Sequence, residues 1–259
     1  ETSISSASTI SNSRILEPSV VNGDPVKPDK KAIYFIAFFL GLAIPVAFVA
    51  LKEFLNDKIE SRNELEKLTD TPVIGEIGHA DGDEALITRS GNRSFVAEQF
   101  RMIRANLQFV IGKVEKPVIL LTSSFSGEGK SFASTNIGGV MSITGKKTVI
   151  LELDIRKPKI TKDLALEKQK GITNFLMGNA TLEELPVQVA DMNNLYVIQC
   201  GPIPPNPAEL LMDSKLDQMF LWIKKHFDIV IIDSAPVGLV SDSLILARFA
   251  DCTLYVVRQ

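Results

Sequence analysis

The chain has 259 residues, 45% of them apolar, and a formal net charge of −3. That length supports one sizeable domain with attachments, and the near-neutral balance gives no footing for a nucleic-acid partner. Cys200 and Cys252 lie far apart in apolar stretches; they are expected as buried free thiols, a disulfide or metal pair being only weakly supported.

Residues 1–31 are rich in Ser, Asn, Val and Pro. They read as an extended extracytoplasmic stalk. The run "AIYFIAFFLGLAIPVAFVAL", residues 32–51, carries no charge and as a helix would cross a layer of roughly 30 Å. A core helix seldom reads so apolar on every side. Pro45 is tolerated in a membrane helix, and the polar segment ahead of the run does not fit a signal peptide. A transmembrane helix is expected. Lysines and an arginine stand on both sides of it, so charge alone leaves its orientation open.

Residues 52–93 are expected as a cytoplasmic helix and linker. "KEFLNDKIESRNELEKLTDTP" reads as an amphipathic helix continuing out of the bilayer, and "VIGEIGHADGDEALITRSGNR" as a loop-rich connector with an exposed His79. A domain spanning 94–259 follows. "SFVAEQFRMIRANLQFVIG" puts Val96, Phe100, Ile103, Leu107 and Val110 on one helical stripe. Strand and helix then alternate. "PVILLTSS", "KTVILELD", "NLYVIQCG", "DIVIIDSAP" and "CTLYVVRQ" read as strands, with helices over "GKSFASTNIGGVMSITG", "AELLMDSKLDQMFLWIKKHF" and "DSLILARFA". Unbroken Val/Ile/Leu runs belong to strands covered on both faces. The pattern predicts an α/β fold with a doubly wound, mostly parallel sheet of the P-loop NTPase type.

Ligands of such sheets sit beyond the carboxyl ends of the strands, and three motifs fall there. "SSFSGEGKSF" follows a strand and opens a helix. Ser124 stands where a phosphate loop has its first glycine, but Gly127 and Gly129 still free the backbone amides to wrap phosphate. Lys130 would reach the β and γ phosphates and Ser131 would ligate Mg²⁺. The nucleotide-binding set is thus Ser126, Gly127, Glu128, Gly129, Lys130, Ser131 and Phe132. The second motif, "VILELDIRKP", offers Glu152, Asp154 and Arg156; the third, "IVIIDSAP", ends its strand at Asp233. Two acid-tipped strands beside one phosphate loop suit metal and water positioning. Together the motifs point to nucleotide hydrolysis or phosphoryl transfer.

These residues resemble the bacterial tyrosine kinases (BY-kinases) of capsule and exopolysaccharide export, almost end to end. "SSFSGEGKS", "VILELDIR" and "VIIDSAP" are similar to that family's three nucleotide motifs, and "GPIPPNPAELL" to a stretch between the last two. A membrane helix after a proline-bearing stalk resembles the end of its polysaccharide co-polymerase half. The resemblance implies an upstream periplasmic domain and earlier membrane helix beyond this chain. "EQFRMIR" is similar to its E-x-x-R-x-x-R motif, implying that Glu98, Arg101 and Arg104 join neighbouring subunits into a ring-shaped homo-oligomer. Read from spacing alone, Glu98 and Arg101 are an i, i+3 pair on a solvated face, worth a few tenths of a kcal/mol.

The implied activity is ATP- and Mg²⁺-dependent autophosphorylation of tyrosine, with Lys130, Glu152, Asp154 and Asp233 as catalytic residues, Ser131, Asp154 and Asp233 as the Mg²⁺ set, and the polysaccharide export machinery as partner. Glu152 stands where the family carries aspartate. The implied acceptor is a tyrosine-rich tail beyond residue 259, since Tyr34, Tyr196 and Tyr255 lie in the membrane run or in strands. Because ATP is cytosolic, the kinase portion is expected inside an inner membrane and residues 1–31 outside. Two alternatives stand. A ParA/MinD-like ATPase would carry lysine at the position of Phe125 and no membrane helix ahead of the loop. A nucleotide-binding chain-length regulator without transferase activity would differ at positions such as Glu152.

Overall fold

The computed structural model describes residues 27–55, 59, 61–80, 82 and 84–258. The expected stalk falls, up to residue 26, outside the described residues. Two compact units divide the chain at Lys58 and Ile59.

In the first unit, α1 (Lys30–Phe54) contains the whole expected membrane span and runs through Pro45. The Asp29 side chain accepts a hydrogen bond from the Lys31 amide at 3.0 Å and so caps its start. The helix has no buried residue. Its apolar side chains are exposed all round, which a bilayer would cover and a soluble core does not.

The second unit begins with α2 (Arg62–Leu68). It is a separate short helix, not an extension of α1: the Ser61 hydroxyl caps it by accepting from the Glu64 amide at 3.3 Å. Among the described residues the connector up to Ser94 has no helix or strand after α2, but its second half belongs to the core. Leu86, Ile87 and Thr88 are buried. The buried Asn136 side chain fixes them, accepting from the Ile87 and Thr88 amides at 2.9 and 3.1 Å and donating to the Ala85 carbonyl at 2.8 Å.

Helix α3 (Phe95–Ile111) buries Val96, Phe100, Ile103 and Leu107 and closes the stripe with Ile111, not Val110. Four residues on from Leu107 the stripe returns to the sheet; three residues on it has rotated toward solvent. Then come β1 (Val118–Ser123), α4 (Lys130–Ser142), β2 (Thr148–Glu152), α5 (Ile160–Asp163), α6 (Ile172–Leu176), β3 (Pro186–Gln188) and β4 (Leu195–Ile198). The remaining elements are α7 (Pro207–Leu211), α8 (Ser214–His226), β5 (Ile229–Asp233), α9 (Asp242–Ala247) and β6 (Cys252–Val256). The single helix expected over "AELLMDSKLDQMFLWIKKHF" is two, because the Asp213 side chain accepts from the Lys215 amide at 2.8 Å and starts α8 afresh.

The sheet runs β3-β4-β2-β5-β1-β6 and is parallel except for β3, which pairs antiparallel with β4. Strands β1, β2 and β5 are buried along their whole length. Their alternate residues feed two cores. Ile119, Leu121, Ile150 and Ile231 pack with α3 and α4; Val118, Leu120, Val149, Leu151, Val230 and Ile232 pack with Leu216, Met219, Phe220 and Ile223 of α8. The fold is therefore α/β and doubly wound, with the C-terminal ends of β2, β5 and β1 side by side. Both cysteines are free, Cys200 buried and Cys252 half-buried.

Asn136→Ala would leave two buried amides without an acceptor, at about 1–3 kcal/mol each. Urea denaturation is expected to show that loss, with faster proteolysis around Ala85–Thr88; an unchanged midpoint would mean that the connector is not part of the core.

Candidate functional site

Register alone brings the acidic tips together. Glu152 pairs with Asp233 across β2 and β5, and Asp233 with Leu121 across β5 and β1. The glycine loop leaves β1 two residues beyond Leu121 and enters α4 at Lys130. Gly127 and Gly129 have φ of +96° and +90°, and a Cβ at either would meet open space. Both need the left-handed region that glycine adopts without strain. The open space is where a phosphate would lie against the amides.

The loop is held by its own side chains and by neighbours. The Glu128 carboxylate accepts from the Phe125 amide at 2.9 Å, and the Ser123 hydroxyl donates to the Phe125 carbonyl at 2.8 Å. The Ser124 hydroxyl meets the Tyr255 hydroxyl at 2.5 Å, and Arg258 donates to the Gly127 carbonyl at 3.1 Å. Glu128 is thus a brace of the loop, and Phe125 projects into solvent, 62% exposed.

A cleft at the loop is lined by Ser126, Gly127, Gly129, Lys130, Ser131, Phe132 and Asp154, joined by Lys159 and Asp163. The Asp154 Oδ1 accepts from the Lys157 amide at 3.0 Å and the Arg156 amide at 3.4 Å, which aims the carboxylate into the cleft. Arg156 itself forks onto the buried Asp242 of α9, at 2.7 and 3.1 Å. That hydrogen bond raises the guanidinium pKa further.

Asp233 is fully buried. Its two oxygens accept from the Ser131 and Ser134 hydroxyls at 2.8 and 3.0 Å. Burial pushes its carboxyl up to about 7; the two serine hydroxyls and Lys130 work against that rise, and Asp154 adds to it.

Glu152 has a different setting from the one expected of it. It is buried and does not line the cleft. Its Oε1 accepts from the Thr161 amide at 3.1 Å, and its Oε2 from the Thr161 hydroxyl at 2.6 Å and the Cys200 amide at 3.2 Å. Glutamate's extra methylene carries the carboxylate across to α5 and the loop after β4. The Cys200 thiol, pushed up to about 12 by burial and then by the charges of Glu152 and Asp154, stays protonated.

The Glu98, Arg101 and Arg104 set also divides. Glu98 and Arg101 form an ion pair, and Arg101 also donates to the Asn92 carbonyl at 2.5 Å. Arg104 instead donates to the Val140 carbonyl at 3.2 Å, covering one of the last carbonyls of α4. That nitrogen is committed to the fold, and the side chain is half-buried, as that of Arg101 is.

Sequence reasoning passed over Ser134, Lys159, Thr161, Asp163, Asp242, Tyr255 and Arg258. Ser134 alone carried a readable signal: three residues after Ser131, it faces the same way on a helix. The fit to a magnesium nucleotide rests on open room at Gly127 and Gly129, a buried lysine at the helix start and two hydroxyl- or amide-anchored carboxylates. Mg²⁺ takes few protein ligands and keeps water and phosphate oxygens for the rest, which is what this donor set offers.

An ionised Asp233 is disfavoured in the folded protein, whereas in the unfolded chain an aspartate titrates near 4. Stability is therefore lost as pH rises from about 4 to about 7, and the whole penalty stands above that. Asp233→Asn is expected to raise the melting temperature of the nucleotide-free protein at pH 8 but far less at pH 4.5, the two differing by about 2–4 kcal/mol. Equal shifts at both pH values would mean that the carboxylate ionises there without penalty.

The family model described as "G-rich domain on putative tyrosine kinase" matches residues 1–54. Over its full length the chain is 30% identical to the "Putative tyrosine-protein kinase in cps region" of Klebsiella pneumoniae and 29% identical to "Tyrosine-protein kinase etk" of Escherichia coli K12. It spans 38% of the length of each. Among solved structures, the chimerical protein CapA2B2 matches 75% of this chain and 84% of its own at 28% identity, with a TM-score of 0.70. The BceF tyrosine kinase domain matches 78% and 87% at 27% identity, with a TM-score of 0.70. Homology thus runs along the whole sequence to proteins named as bacterial tyrosine-protein kinases, and a tyrosine kinase domain of known structure shares both fold and sequence with this chain.

Proposed function

We propose that the chain is the membrane-helix and kinase portion of an ATP-dependent protein-tyrosine autokinase of the inner membrane, regulating capsule or exopolysaccharide polymerisation and export. The observation that carries this reading is the meeting of the glycine loop after β1 with Asp154 beyond β2 and Asp233 at the end of β5. ATP is cytosolic, so the kinase unit stands on that side and residues 1–31 on the other.

In this reading an acceptor tyrosine hydroxyl from a neighbouring subunit attacks the γ-phosphorus of ATP. The bond from that phosphorus to the bridging oxygen breaks, ADP leaves with the bond's electrons, and the hydroxyl proton passes to Asp154. Lys130 and the loop amides bind the β and γ phosphates, which supplies the positioning and charge neutralisation that phosphoryl transfer requires. Mg²⁺, held by Ser131, Asp154 and Asp233 directly or through water, would neutralise phosphate charge when bound. Glu152 positions the segment that carries Asp154, because its own oxygens are occupied. Lys159 adds a second cation at the cleft. Phe125 in place of lysine disfavours an ATPase that reaches across to a partner's phosphates.

Lys130→Met is expected to abolish phosphotyrosine without lowering the melting temperature; unchanged labelling would remove the assignment. Asp154→Asn should lower the transfer rate by about a hundredfold or more, and Glu152→Gln much less. The reverse ranking would make Glu152 the base.

The pair of exposed Glu98 and half-buried Arg101 is proposed to join subunits of a ring-shaped homo-oligomer. Arg101→Glu is expected to shift the mass distribution of the assembled protein toward monomers, with a loss of stability because the Asn92 carbonyl and Glu98 lose their partner. Arg104→Glu should lower stability as well, because it loses the Val140 carbonyl. A ring of unaltered mass with Arg101→Glu would exclude that helix face as the interface.

A further inference from the structure

The end of the sheet opposite the phosphate loop carries a feature that phosphoryl transfer does not use. Loops 112–117, 143–147 and 227–228 lead into β1, β2 and β5, and they are stitched together. The Lys147 carbonyl accepts from the Asp228 amide at 2.8 Å, and Asp228 accepts in turn from the Lys147 amide at 2.8 Å. The Pro117 carbonyl accepts from the Val230 amide at 3.0 Å, and the Lys116 ammonium donates to the Lys224 carbonyl at 2.7 Å. One face thereby gathers Lys113, Lys116, Lys146, Lys147, Lys224 and Lys225. Of the acids at this end, Asp228 is engaged by the Lys147 amide, Asp251 by the Val118 amide and Lys224, and Asp191 lies 3.8 Å from Arg89; Glu115 is exposed, and the Lys147 ammonium lies over the Tyr196 and Phe227 rings. Apolar side chains stand open beside the lysines: Phe109 is 91% exposed, Val114 38% and Ile143 39%.

A chain of net charge −3 that collects lysines around exposed apolar tips presents what an anionic lipid surface attracts. Each lysine near such a surface adds to the attraction, and apolar tips enter the boundary between headgroups and acyl chains. The same chain carries α1, long and apolar enough to cross a bilayer. A domain tethered to a bilayer meets its surface at high effective concentration, so a modest attraction is enough to dock it. We propose that this lysine-rich end, with Phe109, Val114 and Ile143, docks on anionic phospholipid and holds the phosphate-loop end of the sheet away from the membrane. The proposal rests on reading α1 as a membrane helix.

The test places the full chain in nanodiscs of phosphatidylcholine alone or with one-third phosphatidylglycerol, and follows amide hydrogen exchange. Segments 109–116, 143–147 and 224–226 are expected to exchange several-fold more slowly in the anionic discs. High salt should reverse this, and so should the triple variant Lys113→Glu/Lys146→Glu/Lys225→Glu, with ATP binding unchanged in that variant. Equal exchange in both discs would overturn the proposal. So would protection that follows the number of chains per disc and ignores the lipid, which would assign the face to a second copy. A chain that enters neither disc would remove the membrane helix itself, and this docking with it.

Discussion

A carboxylate without access to water holds the functional end of this fold together. Asp233 ends the central strand β5, and its two oxygens take the hydroxyls of Ser131 and Ser134 from the first turns of α4. Those two contacts fix where α4 begins relative to the sheet. The start of α4 in turn fixes Lys130 and the amides of the glycine loop. Every other feature of the site is placed relative to that joint, because β1 and β2 flank β5 in register. Removing the carboxylate's charge would ease the apo fold but take away the negative centre that a cation needs.

Around the joint, the loop is braced from several directions. Gly238 lies so close to the Ser124 carbonyl that a Cβ there would stand 2.5 Å from its oxygen. The Val237 amide donates to the Ser123 carbonyl at 2.9 Å. Strand β6 adds Tyr255 on Ser124, and Arg258 reaches the Gly127 carbonyl. Ser124 stands where a glycine is usual in such loops, and its hydroxyl is used for that brace. A loop held this way is already shaped before ligand arrives, so less conformational entropy is lost on binding.

The sheet and its two cores were legible because unbroken Val, Ile and Leu runs can only be covered on both faces, and β1, β2 and β5 are. The phosphate loop was legible from Gly127, Gly129 and Lys130 at a strand–helix junction. Strand β3 was not, since three residues beginning with Pro186 give no period to read. Nor was the break at Asp213, where a cap interrupts an apolar pattern that would otherwise continue. Contacts between distant segments left no local mark: Arg156 on Asp242, Arg104 on the Val140 carbonyl, Glu152 on Thr161 and Cys200. Only the packing of α3 against α4 gives the Arg104 guanidinium a carbonyl to cover. The motif around Glu152 showed two acids alike; one added methylene decides which reaches the cleft.

That division between Glu152 and Asp154 follows from geometry and not from charge. Both are buried, and both are anchored by backbone amides. Glu152 is the last residue of β2 and satisfies donors from two segments on the far side of the strand, so moving it would orphan the Thr161 and Cys200 amides. Asp154 lies two residues further, after the chain has left the ladder, where the Leu153 amide turns to the Asp233 carbonyl at 2.9 Å. Only Oδ1 of Asp154 is tied to the turn, and its carboxylate borders the cleft. A group that must receive a proton needs an oxygen not already committed. The residue beyond the strand has one, whereas the residue within it is consumed in joining β2 to Thr161 and Cys200.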